Sequence, residues 1–81
     1  MSAERKKTLM HLLFTEKQMP AFGADIAAIS YEDGCKVCFC DGSWVICRFS
    51  GTEPLLRIAA EAGTVRQAQE YIRCWKEMLG L

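Results

Sequence analysis

Two Asp-Gly pairs, Asp33-Gly34 and Asp41-Gly42, constrain this chain more than any other feature. Each sits between short apolar runs, and Asp-Gly is a preferred filling for a tight hairpin. A type I′ turn there needs positive φ at both central positions. The pairs therefore predict three antiparallel strands, over residues 25–32, 35–40 and 43–48. In the first, "DIAAISYE", Ile26, Ala28 and Ser30 alternate with Ala27, Ile29 and Tyr31. A loop at "RFSGTEP" then leads to a fourth strand over residues 55–61.

Helical periodicity brackets these strands. From about Ala3 to Lys17, Leu9, Leu12, Leu13 and Glu16 fall at helical spacing. Pro20 and Gly23 then punctuate the chain. At the other end Thr64 is a candidate N-cap with Gln67 three residues on, the pattern of a capping box. Val65, Ala68, Tyr71, Ile72, Trp75 and Leu79 form an apolar stripe that Gly80 ends. The predicted fold is α+β: a four-stranded, mainly antiparallel sheet flanked by an N-terminal and a C-terminal helix, in the order α-β-β-β-β-α. Helices packed on one face are expected, in a single domain spanning residues 1–81. "WVIC" and "LLRIAA" are nevertheless apolar on both sides, as in strands covered on both faces. Either a neighbouring domain covers the second face, or packing at the strand ends accounts for the pattern.

Composition removes several function classes. Ten Lys and Arg balance ten Asp and Glu, so no global field draws the chain to nucleic acid or to an anionic membrane. No apolar stretch approaches the ~20 residues that span a bilayer. The start, "MSAERKKTLMHLLF", reads as an amphipathic helix and not a signal peptide, and the chain reads as cytoplasmic. Five cysteines, an odd number, fit a compartment where thiols stay reduced. Cys35, Cys38, Cys40 and Cys47 invite a zinc site. Strand alternation, however, sends Cys35 to one face and Cys38 and Cys40 to the other, so four ligands do not converge. They read as small core hydrophobes, with no metal bound. His11, alone in the first helix, reads as a packing or surface residue.

The loop after the third strand carries the most specific chemistry. Arg48 offers a forked guanidinium that suits a phosphate bidentately. Ser50 and Thr52 offer hydroxyls. Gly51 lets the backbone approach a ligand closely, so that successive N–H groups form an anion nest. Pro54 fixes the exit, and Arg57 is a candidate second cation. Glu53 opposes phosphate if it faces inward; turned away, it accepts backbone N–H bonds or pairs with an arginine. The spacing is not that of a P-loop, which has spaced glycines and a Gly-Lys-Ser/Thr ending. The competing reading is a solvated loop with an incidental Arg48–Glu53 ion pair.

"DGSWVICRFSGTEPLLRIAAEA" closely resembles the C-terminal domain of the α-D-phosphohexomutases, the phosphoglucomutase/phosphomannomutase family. The family's signature is an arginine, any residue, then Ser-Gly-Thr-Glu-Pro, followed by a strand bearing another arginine. The similarity runs from "DGCKVCFCDGSW" through the final helix. Members interconvert sugar 1-phosphates and 6-phosphates through a bisphosphorylated intermediate, and their C-terminal domain holds the non-reacting phosphate. The resemblance implies that Arg48, Ser50, Gly51 and Thr52 contact that phosphate, with Arg57 as an auxiliary contact and Glu53 and Pro54 shaping the loop. It places the phosphoserine and the Mg²⁺ site in other domains, so no catalytic residue and no cofactor are expected in these 81 residues. The implied partners are a hexose 1- or 6-phosphate and the remaining domains of the same enzyme. On this reading the chain is a domain of a larger phosphohexomutase, an isomerase, and is inactive alone. The alternative is a stand-alone module that binds a phosphorylated ligand without catalysis. Phe49, Leu55 and Ala59 depart from the commonest family pattern; none removes a phosphate donor.

Overall fold

A computed structural model describes residues 2–32, 34–51 and 55–81. A helix α1 (Ala3–Met10) continues as a π-helical turn (His11–Thr15) and is followed by strands β1 (Ile26–Ser30), β2 (Cys35–Phe39), β3 (Trp44–Phe49) and β4 (Leu56–Glu61), then by helix α2 (Val65–Leu79). The strands form one antiparallel sheet in the order β1-β2-β3-β4. The α-β-β-β-β-α order is the one the sequence predicts.

Alternation decides which side chains enter the core. Cys35, Val37 and Phe39 of β2 and Val45 and Cys47 of β3 are buried on one face. They meet Leu9 and Leu13 from the N-terminal helical segment and Tyr71, Trp75 and Leu79 from α2 in a single cluster. Both helices therefore cover the same face. Phe22, from the long connection before β1, packs edge-on against Phe39, Tyr71 and Trp75 at 5.2–5.8 Å between ring centroids. Phe39 stacks on Tyr71 at 4.2 Å. Offset and T-shaped pairs of this kind add to the area they bury.

Local signals set the helix ends. Ser2 Oγ accepts from the Arg5 N–H at the start of α1, and Thr64, the N-cap the sequence predicts for α2, accepts through Oγ1 from the Gln67 N–H at 3.1 Å. Gly80, at φ 72°, ends α2 in a left-handed cap. The first helix differs from expectation. It widens into the π turn at His11 and stops before Lys17, whose φ of 53° turns the chain without a glycine. Gln18 N–H closes that end on the Leu12 carbonyl oxygen. Val65 also departs from its assigned stripe: at the first helical position it is 75% exposed.

The second hairpin uses a different turn from type I′. Gly42 has φ 91° but Asp41 does not have positive φ. Gly42 N–H donates to the Phe39 carbonyl oxygen, and Phe39 N–H to that of Ser43. This is a three-residue loop with glycine in the left-handed position. Asp41 Oδ1 accepts from the Ser43 N–H and hydroxyl, which holds its carboxyl below the usual carboxylate range. Ser43 Oγ also lies 3.2 Å from the Tyr71 hydroxyl, tying the turn to α2. At the first hairpin Asp33 lies outside the described residues. Gly34 has φ 85°, and a Cβ there would stand 2.4 Å from the Cys47 carbonyl oxygen.

Candidate functional site

The sheet face opposite the helices carries Lys36 and Cys38 from β2, Trp44, Ile46 and Arg48 from β3, and Arg57, Ala59 and Glu61 from β4. Trp44 and Ile46 are half-buried, while Arg48, Arg57 and Ala59 are exposed. The apolar pattern on both sides of these strands thus has no covering layer among the described residues. At one end Lys36 Nζ lies 4.9 Å from the Trp44 ring centroid, and Trp44 Nε1 donates to Glu61 Oε2 at 3.0 Å.

At the other end of the face Arg48 and Arg57 are direct cross-strand partners. Directly opposed side chains in an antiparallel pair have Cβ atoms ~4.5–5.5 Å apart, and like charges there are destabilising. The strands continue into a neck that the Ser50 N–H closes on the Leu55 carbonyl oxygen at 2.9 Å. Arg48, Ser50, Gly51 and Arg57 line one concavity of about 300 Å³. Four of the predicted phosphate-contacting residues are thereby brought together. Thr52, Glu53 and Pro54 lie outside the described residues.

Phe49, the position that departs from the family pattern before Ser50, points to the helix side and meets Phe14 edge-on at 6.1 Å. It fastens the base of the loop to the core. Leu55 and Ala59 are exposed and leave the concavity to the arginines.

One residue escaped the sequence reading. Lys6 Nζ, from α1, donates to the Ser50 carbonyl oxygen at 2.6 Å. A signal was present: Lys6, Leu9 and Leu13 stand at i, i+3 and i+7, which puts this lysine on the helix's inward stripe. The start "MSAERKKTLMHLLF" reads as an amphipathic helix, and that reading assigns this lysine no role.

The cysteines divide between the faces as alternation predicts, but only Cys35 and Cys47 are core residues; Cys38 and Cys40 lie on the side away from the helices and are not the core hydrophobes expected of them. Cys35 and Cys47 are cross-strand partners inside the core, while Cys38 is half-buried on the opposite face and Cys40 is exposed. Burial pushes the Cys35 thiol up to about 11 and the Cys47 thiol higher still, so both stay protonated and poor as ligands or nucleophiles. Among the described residues no three His, Cys, Asp or Glu side chains gather as a metal would require. His11 is exposed on the π-helical turn. No helix among the described residues is long and apolar enough to cross a membrane.

The family model for the C-terminal domain of phosphoglucomutase/phosphomannomutase matches residues 3–73. The chain belongs to that family. It is 38% identical over 78 residues to a phosphoglucomutase/phosphomannomutase of Thermococcus kodakarensis, covering 90% of this chain and 17% of the relative. It is 42% identical over 60 residues to a probable phosphoglucosamine mutase of Methanosphaera stadtmanae, covering 74% of this chain and 13% of the relative. A phosphopentomutase of Thermococcus kodakarensis is 38% identical over 47 residues, 58% of this chain and 10% of that protein. The chain thus spans less than a fifth of the length of these relatives. No solved structure gives a significant match.

Proposed function

We propose that this chain is the phosphate-holding domain of a cytoplasmic phosphohexomutase. It grips the non-reacting phosphate of a sugar phosphate while phosphoryl transfer between the 1- and 6-positions takes place on other domains. The observation that carries this reading is the cross-strand Arg48–Arg57 pair beside Ser50 and Gly51 on one concavity. Arg48 and Arg57, opposed across neighbouring strands on an exposed face, bring two positive charges to one concavity, and a bound dianion offsets the cost of holding like charges opposite each other. The relatives add support. They are named for hexose, hexosamine and pentose phosphates, and the phosphate is what those ligands share.

Each residue has a part in such a site. Arg48 supplies the fork and Arg57 the second cation, while Ser50 supplies a hydroxyl and Gly51 a backbone N–H. Thr52 adds a hydroxyl, and Glu53 and Pro54 shape the loop. Phosphoryl transfer is accelerated mainly by positioning and charge stabilisation, so fixing the distal phosphate fixes the reacting oxygen. The bisphosphorylated intermediate must turn round between half-reactions. The site must therefore accept either phosphate and release it, which a shallow, solvent-facing concavity allows. Mg²⁺ and the phosphoserine belong to the other domains of the enzyme.

The test is Arg48→Ala in a mutase that carries this domain. Charged hydrogen bonds contribute ~1.5–3 kcal/mol each, so kcat/KM should fall by roughly one to two decades with both the 1-phosphate and the 6-phosphate. Arg48→Lys should recover part of the loss, because an ammonium keeps the charge without the fork. Unchanged kinetics in a folded Arg48→Ala enzyme would make the loop structural.

A further inference from the structure

The backbone of Ser50 is held on both sides. Its N–H donates to the Leu55 carbonyl oxygen at 2.9 Å, and its carbonyl oxygen accepts from Lys6 Nζ at 2.6 Å. The second bond joins α1 to the loop across 44 positions of sequence. A peptide unit is planar and trans, so the Gly51 N–H points opposite to the Ser50 carbonyl. A lysine that holds this carbonyl toward α1 therefore turns the Gly51 N–H away from α1. Gly51 lines the concavity with Ser50, Arg48 and Arg57. A cation on the carbonyl oxygen also polarises the amide and strengthens its N–H as a donor.

The platform that carries Lys6 is itself fixed. Leu9 and Leu13 are buried in the core, and Arg5 donates to the Leu79 carbonyl oxygen at 2.6 Å, tying α1 to the end of α2. We propose that Lys6 is a positioning residue for the anion loop, aiming and polarising the Gly51 N–H toward a phosphate through the Ser50–Gly51 peptide. The proposal rests on the phosphate-holding function above. Lys6 acts on the ligand through the backbone, so its effect differs from that of a cation merely nearby.

The test compares ¹⁵N-labelled wild type, Lys6→Met, Lys6→Arg and Lys7→Met, each titrated with inorganic phosphate at constant ionic strength. Lys6→Met keeps the aliphatic stem and removes the donor. It should move the Gly51 amide proton upfield before any ligand is added. It should also weaken phosphate binding about fivefold, which corresponds to about 1 kcal/mol. Lys6→Arg should restore most of both effects. Lys7 carries the same charge on the exposed side of the same helix, and Lys7→Met should leave the Gly51 resonance in place and the affinity near wild type. Phosphate binding in Lys6→Met as tight as in wild type would overturn the proposal. So would an equal loss in Lys7→Met, which would mark a general charge effect. Absence of any shift at Ser50 and Gly51 in the wild type would remove the phosphate-holding function itself, and this proposal with it. Should Lys6→Met not fold, Lys6→Gln, neutral but still a donor, takes its place; it should bind between wild type and the loss expected of Lys6→Met. Wild-type affinity together with a displaced Gly51 amide in Lys6→Gln would overturn the link between the two.

Discussion

Arg57→Gln should make the domain more stable without phosphate and less responsive to it. Arg48 and Arg57 oppose each other across β3 and β4 on an exposed face. Cross-strand pairs act on a scale of ~0.2–1 kcal/mol and directly opposed like charges are destabilising, so removing this opposition should add about 0.5 kcal/mol. For 81 residues the unfolding entropy is about 0.17 kcal/mol/K, and the midpoint should rise by about 3 °C. Phosphate reverses the order. At a dissociation constant of about 1 mM, about 10 mM phosphate stabilises the wild type by about 1.4 kcal/mol, or about 8 °C. Losing one charged contact raises that constant about tenfold or more, which leaves the variant only about 0.4 kcal/mol, or about 2 °C. The assay is thermal unfolding of both proteins in phosphate and in chloride at matched ionic strength. The variant should melt higher in chloride and lower in phosphate. A variant that melts lower in chloride would rule out the charge opposition, and one that gains as much from phosphate as the wild type would rule out the part of Arg57 in holding phosphate.

Gly34→Ala should destabilise by ~2 kcal/mol or more, read by urea unfolding, because φ 85° and a 2.4 Å approach to the Cys47 carbonyl oxygen both exclude a Cβ. Leu13→Ala, at a position with no exposed surface, should cost ~2–5 kcal/mol and leave much of the population unfolded near 37 °C. Stability in reductant should fall as pH rises from about 9 toward about 11. Burial raises the folded Cys35 thiol from 9.0 to about 11 and that of Cys47 further, so the unfolded chain loses its thiol protons first. Denaturation midpoints across that window should show the slope, and a Cys35→Ala, Cys47→Ala double variant should flatten it.

Element order and the helix caps were legible because each rests on local chemistry. Thr64 and Gly80 announce α2 whatever the chain does elsewhere, and Asp-Gly pairs announce hairpins. The turn subtype was not legible. The Ser43 bonds to Asp41 and the ladder bond from Phe39 favour a three-residue loop, and dipeptide composition does not carry that information. Nor was the π turn at His11, since Leu9, Leu12 and Leu13 fit an ordinary helix equally well. In the site, "RFSGTEP" marked the loop and Arg57 the strand beyond it. The cross-strand opposition of Arg48 and Arg57 depends on register, which hydrophobic pattern and turn geometry set jointly. Lys6 was hidden for a different reason: its partner is a backbone carbonyl 44 residues away, and a carbonyl leaves no trace in side-chain identity.

Phosphate held by the loop between β3 and β4 is open to direct observation by titrating the ¹⁵N-labelled chain with glucose 1-phosphate, glucose 6-phosphate and glucose, and following every backbone amide. Both phosphates should shift the amides of Ser50 and Gly51 and the Arg48 and Arg57 side-chain resonances, with similar millimolar affinities, and should compete with each other. A single loop supplies few contacts, and 1 mM corresponds to only about 4 kcal/mol. Glucose without phosphate should shift none of these resonances. Shifts centred elsewhere, such as on Trp44 and Lys36 at the far end of the same face, or equal shifts with unphosphorylated glucose, would rule out phosphate recognition by this loop.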